Sequence, residues 1–278
     1  MNNKLQFMNL PEEYAGENSK FLVVNIPWEK DVTYEKGASN GPEEIIKASH
    51  QLEYFDIDYE AEIFEKGIKT IILNTESFEN IKKQIPKINV NEKFPVFIGG
   101  DHSVTIPVVK SIDEDFDIVV FDAHADFFYS WNCSENNHRC VNRRLMDNHN
   151  ILVIGLRSCD IEEFNQINKD DRIDYIKANE FNIGILKEKL SKLKKKVYVS
   201  IDVDVFDSSF IRNTGTPEPG GLTWNAVLSA LEMVFNEKNI VASDVVEFAP
   251  NKGFDAEAYS LAKLVHKLFI LKSHKNWV

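Results

Sequence analysis

The chain has 278 residues, 43% of them hydrophobic, and its 44 acidic residues against 32 basic ones leave a formal net charge of −12. That length and apolar content are enough for a sizeable core, while the acidic balance argues against a surface that binds nucleic acid. No apolar leader opens the sequence and no stretch approaches the roughly 20 apolar residues of a membrane span, so we expect a soluble, unexported protein.

Residues 1 to 20 are polar and are expected to form a surface arm or a subunit contact. Apolar, β-branched runs then predict strands at Phe21 to Ile26, Thr70 to Leu73, Phe94 to Ile98, Ile118 to Phe121, Ile151 to Ile154, Val197 to Ile201 and Ile240 to Val246. Between them, helical periodicity predicts helices at Glu43 to Leu52, Phe78 to Ile85, Val104 to Ile112, Cys140 to Asn148, Leu186 to Leu193 and Asn225 to Phe235, with a last one from about Ala256 to Leu271. This alternation predicts an α/β fold with a mostly parallel sheet covered by helices on both faces. With no linker-like stretch and no repeat, residues 1 to 278 read as one domain. The run Lys192, Lys194, Lys195, Lys196 reads as a solvated helix end. Cys133, Cys140 and Cys159 are odd in number and lack zinc-like spacing, which points to reduced thiols in a cytoplasmic setting.

Chemistry-bearing residues follow four of the predicted strands. Gly99-Gly100-Asp101-His102-Ser103 follows Ile98, Asp122-Ala123-His124-Ala125-Asp126 follows Phe121, Asp202-Val203-Asp204 follows Ile201, and Glu247 follows Val246. Parallel sheets bind ligands beyond the carboxyl ends of their strands, so these segments converge on one rim. In an extended backbone Asp122, His124 and Asp126 share one face, as do Asp202 and Asp204. Carboxylates packed that closely repel one another, and a bound cation explains their coexistence. Carboxylates and imidazoles without thiolates suit a hard or borderline divalent ion such as Mn²⁺, and four carboxylates formally balance two such ions, which together activate a water near neutral pH. Sequence signatures for a GxSxG nucleophile, a P-loop, a dinucleotide fold and an HExxH site are absent. His50, His149, His266 and His274 lie on or beside predicted helices and read as structural or solvated.

On these three motifs, in this order, the chain resembles the ureohydrolase family of arginases and agmatinases. Gly37, Gly41 and Pro42, the loop from Gly215 to Thr223, and Asp244 to Pro250 support the resemblance, which runs from about residue 20 to the last helix. It implies a three-layer α/β/α fold, two Mn²⁺ per subunit and a homo-oligomer, trimer or hexamer. Carried over position by position, it implies that His102 and Asp126 bind one ion, that His124 and Asp204 bind the other, and that Asp122 and Asp202 bridge. Guanidine hydrolysis also needs a negative partner for the planar cation and a proton for the leaving amine. The resemblance assigns the first to Glu247 and the second to Asp126, with His138 shuttling protons at the mouth. Cys140, beside His138, has no accompanying pattern that would make it a nucleophile.

Phe127, Phe128, Tyr129 and Trp131 stand where arginase-like chains place polar residues for an amino-acid head, and are expected to wall an amine-bearing tail. The run His138-Arg139-Cys140-Val141-Asn142-Arg143-Arg144 resembles agmatinases, except that Arg139 replaces a small residue. Agmatine, cleaved to putrescine and urea, is therefore the leading small-molecule guanidino substrate. Guanidinobutyrate or formiminoglutamate, whose carboxylates could meet Arg139, and arginine stay open, as does an inactive metal-binding homologue. Arg139, Arg143 and Arg144 otherwise read as a helix surface paired with nearby acids. Deacetylases of related fold lack this pair of DxHxD and SxDxD motifs.

Overall fold

The computed structural model describes residues 5–88, 90, 92–251 and 256–274. Along the chain run β1 (Phe21–Ile26), α1 (Gly41–Ala48), the short strands β2 (Phe55–Asp56) and β3 (Ala61–Glu62), β4 (Ile68–Ile72), α2 (Phe78–Gln84), β5 (Phe94–Gly99) and α3 (Thr105–Val109). There follow β6 (Asp117–Phe121), α4 (Val141–Leu145), β7 (Ile151–Leu156), α5 (Ile161–Ile167), β8 (Ile173–Lys177), α6 (Ile183–Ser191), β9 (Lys196–Asp202), α7 (Trp224–Glu237), β10 (Asn239–Val246) and α8 (Ala256–His274). Eight strands make one sheet in the order β4-β1-β5-β10-β9-β6-β7-β8, with every neighbouring pair parallel, while β2 and β3 form a separate antiparallel pair.

Parallel strands need crossover connections, and the helices that supply them cover the sheet from both sides. The period of two sorts the side chains between two cores. On β9, Val197, Val199 and Ile201 join the layer that includes Leu186, Leu231 and Leu268 from α6, α7 and α8, whereas Tyr198 joins the layer that includes Ile81, Val108 and Leu145 from α2, α3 and α4. The result is a three-layer α/β/α architecture. The four central neighbours β5, β10, β9 and β6 are the strands whose ends carry the sequence motifs. No helix among the described residues is long and apolar enough to cross a membrane, and Cys133, Cys140 and Cys159 are free thiols.

Three sequence-based expectations change. Residues 5–10 are not a surface arm: Phe7 and Met8 are buried, and Phe7 packs edge-on against Phe269 of α8. The Gln6 side chain donates to the Ile68 carbonyl at 2.8 Å and accepts from the Thr70 N–H at 3.1 Å, and the Phe7 N–H donates to Thr70 Oγ1 at 2.8 Å, so this segment closes the outer edge of β4. Residues 1–4 lie outside the described residues. Secondly, β8 and α5 were not anticipated, although Asp160 and Glu163 form a reciprocal capping box at the start of α5. Finally, the helices expected at Val104 to Ile112 and Cys140 to Asn148 are shorter, Thr105–Val109 and Val141–Leu145, each preceded by a 3₁₀ turn.

The four histidines read as structural do stand away from the rim. His50 Nε2 lies 2.9 Å from the Gln6 carbonyl, His149 stacks on Phe116, and His274 packs its ring against Tyr59. His266 on α8 is fully buried, and neither ring nitrogen has a hydrogen-bond partner. Burial, with the Lys263 and Lys267 charges beside it and Asp56 opposing them, pushes its pKa down to about 4. An unfolded histidine titrates near 6.5, so the neutral buried ring contributes stability that is complete above about pH 6.5 and is lost as pH falls through about 4. The stake is on the order of 3 kcal/mol. In denaturant melts compared from pH 7 to pH 4, His266→Leu is expected to lose less stability on acidification than the parent; equal losses would contradict this.

Candidate metal centre

Each motif residue reaches the rim by a distinct local device. Asp101 caps the turn that carries His102: its Oδ1 accepts the Ser103 N–H at 2.9 Å and its Oδ2 accepts the Lys30 N–H at 2.6 Å. Gly100 is required there, since a Cβ would stand 1.7 Å from the Trp28 carbonyl oxygen. Three carboxylates share one pattern. Asp122 Oδ1 accepts the His124 N–H at 2.6 Å, Asp202 Oδ1 accepts the Asp204 N–H at 2.9 Å, and Asp204 Oδ1 accepts the Ala123 N–H at 3.0 Å. One oxygen of each is thereby anchored to backbone, and Oδ2 of each is aimed at an imidazole.

His102 Nδ1 lies 3.2 Å from Asp122 Oδ2, 3.1 Å from Asp126 Oδ2 and 3.3 Å from Asp202 Oδ2, and His124 Nδ1 lies 2.8 Å from Asp204 Oδ2. His102, Asp122 and Asp126 offer one set of ligand atoms within 4.8 Å of one another, and Asp122, His124 and Asp204 offer a second. Asp122 is common to both. Asp126 arrives differently from the extended alternation expected of it: its φ is +48°, a left-handed backbone that turns its carboxylate back toward His102.

The protonation of His102 is set from behind. Ser200 Oγ lies 3.0 Å from His102 Nε2 and donates to Asp244 Oδ1 at 2.6 Å, so the ring carries a proton on Nε2 and turns Nδ1 toward the carboxylates; burial opposes a second proton, but Asp122, Asp126 and Asp202 raise the ring's pKa well above the usual histidine value. His102 Nδ1 and Asp122 Oδ2 are accordingly buried atoms without a hydrogen-bond partner. Acceptors facing acceptors in a dry site need a positive charge between them.

The titration behaviour has the same origin. Burial, and then the charges of Asp204 and Asp126, push Asp122 up to about 7, and burial with Asp204 and Asp122 pushes Asp202 well above the carboxylate range. Although burial opposes it, the Asp204, Asp122 and Asp126 carboxylates push His124 up to about 11. Burial would raise Asp204, but the His124 charge outweighs it and holds Asp204 low. A donor set of carboxylate oxygens and imidazole nitrogens with two orphaned buried atoms fits a pair of divalent cations.

Glu247 and His138 complete the cavity wall. Glu247 Oε1 accepts the His102 N–H at 2.7 Å and lies 3.5 Å from His138 Nδ1, and its backbone, at φ +68°, is pinned by a 2.8 Å hydrogen bond from its N–H to the Gly100 carbonyl. Burial works against protonation of His138, but Glu247 raises its pKa above the usual histidine value. These side chains share a cavity of about 260 Å³ with Arg139, Asp160 and Glu163.

Two parts of the site escaped the sequence. Arg157, just beyond β7, donates to five carbonyls: Gly155, Asp204, Phe206, Glu218 and Pro219. It ties the Asp204 turn to the loop around Glu218, and only its place after a strand end signalled it. Asp244 accepts from Ser200, Thr105 Oγ1, Tyr198 Oη and the Ile201 N–H, which makes it the base of the His102 relay. One expectation is corrected. The aromatic run does not line the cavity: Phe127 is core, Arg139 lies over Phe128 and Trp131 at 4.4 and 4.0 Å, and Arg144 lies over Tyr129 at 4.6 Å.

Removing the relay hydroxyl with Ser200→Ala leaves Nε2 without its acceptor, so divalent-cation affinity is expected to fall about 10- to 100-fold. Mn²⁺ titration with far-UV circular dichroism as the folding control reads this out; unchanged affinity would contradict the relay.

The model of the Arginase family matches residues 19–270. Among curated relatives, an agmatinase from Pyrococcus horikoshii is 34% identical over 259 residues, covering 90% of each chain. An N(1)-aminopropylagmatine ureohydrolase from Thermococcus kodakarensis is 33% identical over 264 residues, covering 90% of this chain and 89% of that one. The crystal structure of the agmatine ureohydrolase of Thermoplasma volcanium superposes with a TM-score of 0.83 at 28% identity, covering 92% of this chain and 91% of that one. With its three motifs gathered at the ends of adjacent parallel strands and a match that spans most of its length, the chain belongs to the arginase family.

Proposed function

We propose that this chain is a single-domain dinuclear manganese hydrolase that cleaves agmatine to putrescine and urea. One observation carries the reading: His124, Asp126, Asp202 and Asp204, backed by the buried His102 and Asp122 beside them, line the same cavity as the otherwise unused face of Glu247. His102 and Asp126 would hold one such ion and His124 and Asp204 the other, with Asp122 and Asp202 placed to serve both. When bound, two such cations supply Lewis-acid activation of water near neutral pH.

The remaining steps fall to protein groups. Glu247 Oε1 is taken up by His102 and His138, which leaves Oε2 for a charge-assisted hydrogen bond to the guanidinium. Asp126, beside the attacking position, accepts the proton from water and passes it toward the leaving amine. His138, held by Glu247 on one side and with Nε2 buried and unbonded, donates at the mouth.

A cationic tail suits the surroundings of His124, where Glu218 approaches Nε2 at 3.9 Å and supplies a carboxylate. A guanidino acid suits them less well. The Arg139 charge that would meet its carboxylate is already met by Asp160 at 3.1 Å and by Glu163 at 4.0 Å. Arg143 and Arg144 are likewise paired, with Asp147 and Glu135.

Urea release by Mn²⁺-loaded protein should be highest with agmatine when agmatine, arginine and guanidinobutyrate are assayed in parallel, and a chelator should abolish it. Glu247→Gln should lower kcat/KM about a hundredfold with Mn²⁺ still bound. Metal binding without turnover of any guanidino or formimino compound would instead mark a binding protein.

A further inference from the structure

Where Arg139 enters the cavity wall, the groups behind it form a seat for a cation, and the chain has filled that seat with its own. The Arg139 guanidinium lies 4.4 Å from the Phe128 ring centre and 4.0 Å from that of Trp131, its terminal nitrogen donates to Asp160 Oδ2 at 3.1 Å, and Glu163 Oε2 stands 4.0 Å away. Two aromatic faces and two carboxylates are the groups that receive an ammonium or a guanidinium. Glu163 is held rigidly in this arrangement. It is buried, its Oε1 accepts the Phe127 N–H at 2.8 Å and its Oε2 accepts the Asp160 N–H at 3.0 Å. Arg139 is fixed from its own backbone as well, since its N–H donates to Asn137 Oδ1 at 3.0 Å and its carbonyl accepts from the Phe128 N–H at 3.1 Å. It follows His138 directly, so the occupied seat adjoins the reacting end of the same cavity.

We propose that Arg139 is the specificity-determining residue of this cavity, an in-chain occupant of a cation seat that limits the substrate to a tail ending in one ammonium. The inference rests on the guanidino-hydrolase reading above and decides between two substrate types that it leaves adjacent. In agmatine the tail ends four carbons from the guanidino group. In N(1)-aminopropylagmatine a second ammonium lies three carbons further out and needs a partner there. With Arg139 in place, the Phe128, Trp131, Asp160 and Glu163 groups are already engaged, and a second ammonium finds no open partner among them. Without the arginine side chain, the same four groups face the cavity and suit that ammonium.

The test uses products, so that binding is read independently of turnover. Putrescine and spermidine are titrated by calorimetry into Mn²⁺-loaded parent protein, Arg139→Ala and Arg139→Gln. The parent should bind spermidine no more tightly than putrescine, and Arg139→Ala should shift the ratio at least tenfold toward spermidine. Arg139→Gln, which keeps part of the bulk and removes the charge, should shift it the same way by a smaller factor and serves if the alanine variant does not fold. The ratio of kcat/KM for N(1)-aminopropylagmatine over agmatine should move in parallel. An unchanged ratio in the folded variants, or a parent that already binds spermidine tenfold more tightly than putrescine, would overturn the proposal. A shifted binding ratio in a protein that hydrolyses neither compound would leave the seat standing and refute the reaction instead.

Discussion

A cluster of buried carboxylates and imidazoles crowded onto one rim governs this molecule. His102 Nδ1 points at the Oδ2 atoms of Asp122, Asp126 and Asp202, all in a site from which water is largely excluded. Left to itself, such a group must take up protons or fly apart, and the upward shifts of Asp122, Asp202 and His124 are that demand expressed as titration. A pair of divalent cations would meet the demand with positive charge instead.

Much of the surrounding architecture holds those acceptors against their mutual repulsion. The central strands β5, β10, β9 and β6 deliver them side by side, and backbone N–H groups fix one oxygen each of Asp122, Asp202 and Asp204. Asp244 and Ser200 set the His102 tautomer from the opposite side of the sheet end, while Arg157 gathers five carbonyls to lock the Asp204 turn. Asp126 and Glu247 both sit at positive φ, a conformation that costs a non-glycine residue on the order of 1 kcal/mol. Two of the eight non-glycine residues at positive φ among the described residues thus face the cavity, where such strain helps to preorganise a site.

The central strands were legible because a parallel sheet buried on both faces leaves long apolar runs, and the motif residues were legible because they follow those runs immediately. The edge was less so. β8 reads Ile-Asp-Tyr-Ile-Lys, half exposed and short, and carries too little periodicity to stand out. Residues 5–10 sit within a mostly polar stretch, yet their apolar members Phe7 and Met8 enter the core, where Gln6 and Thr70 satisfy the local backbone through a pairing of residues more than 60 apart in sequence. Within the site, residue types announced the ligands but not their geometry, since alternation on an extended chain does not bring Asp126 to His102. The aromatic run was misread for a related reason: its partners, Arg139 and Arg144, come from a later segment that folds back over it. Arg157 and Asp244 bond mainly to carbonyls and hydroxyls, which leave no charge pattern for a sequence to show.

Anomalous diffraction from crystals grown with Mn²⁺, collected at the manganese edge, tests the central claim most directly. The account predicts two peaks in each chain, one between His102 and Asp126 and one between His124 and Asp204, with Asp122 and Asp202 touching both. A single peak, or peaks only elsewhere on the molecule, would contradict it.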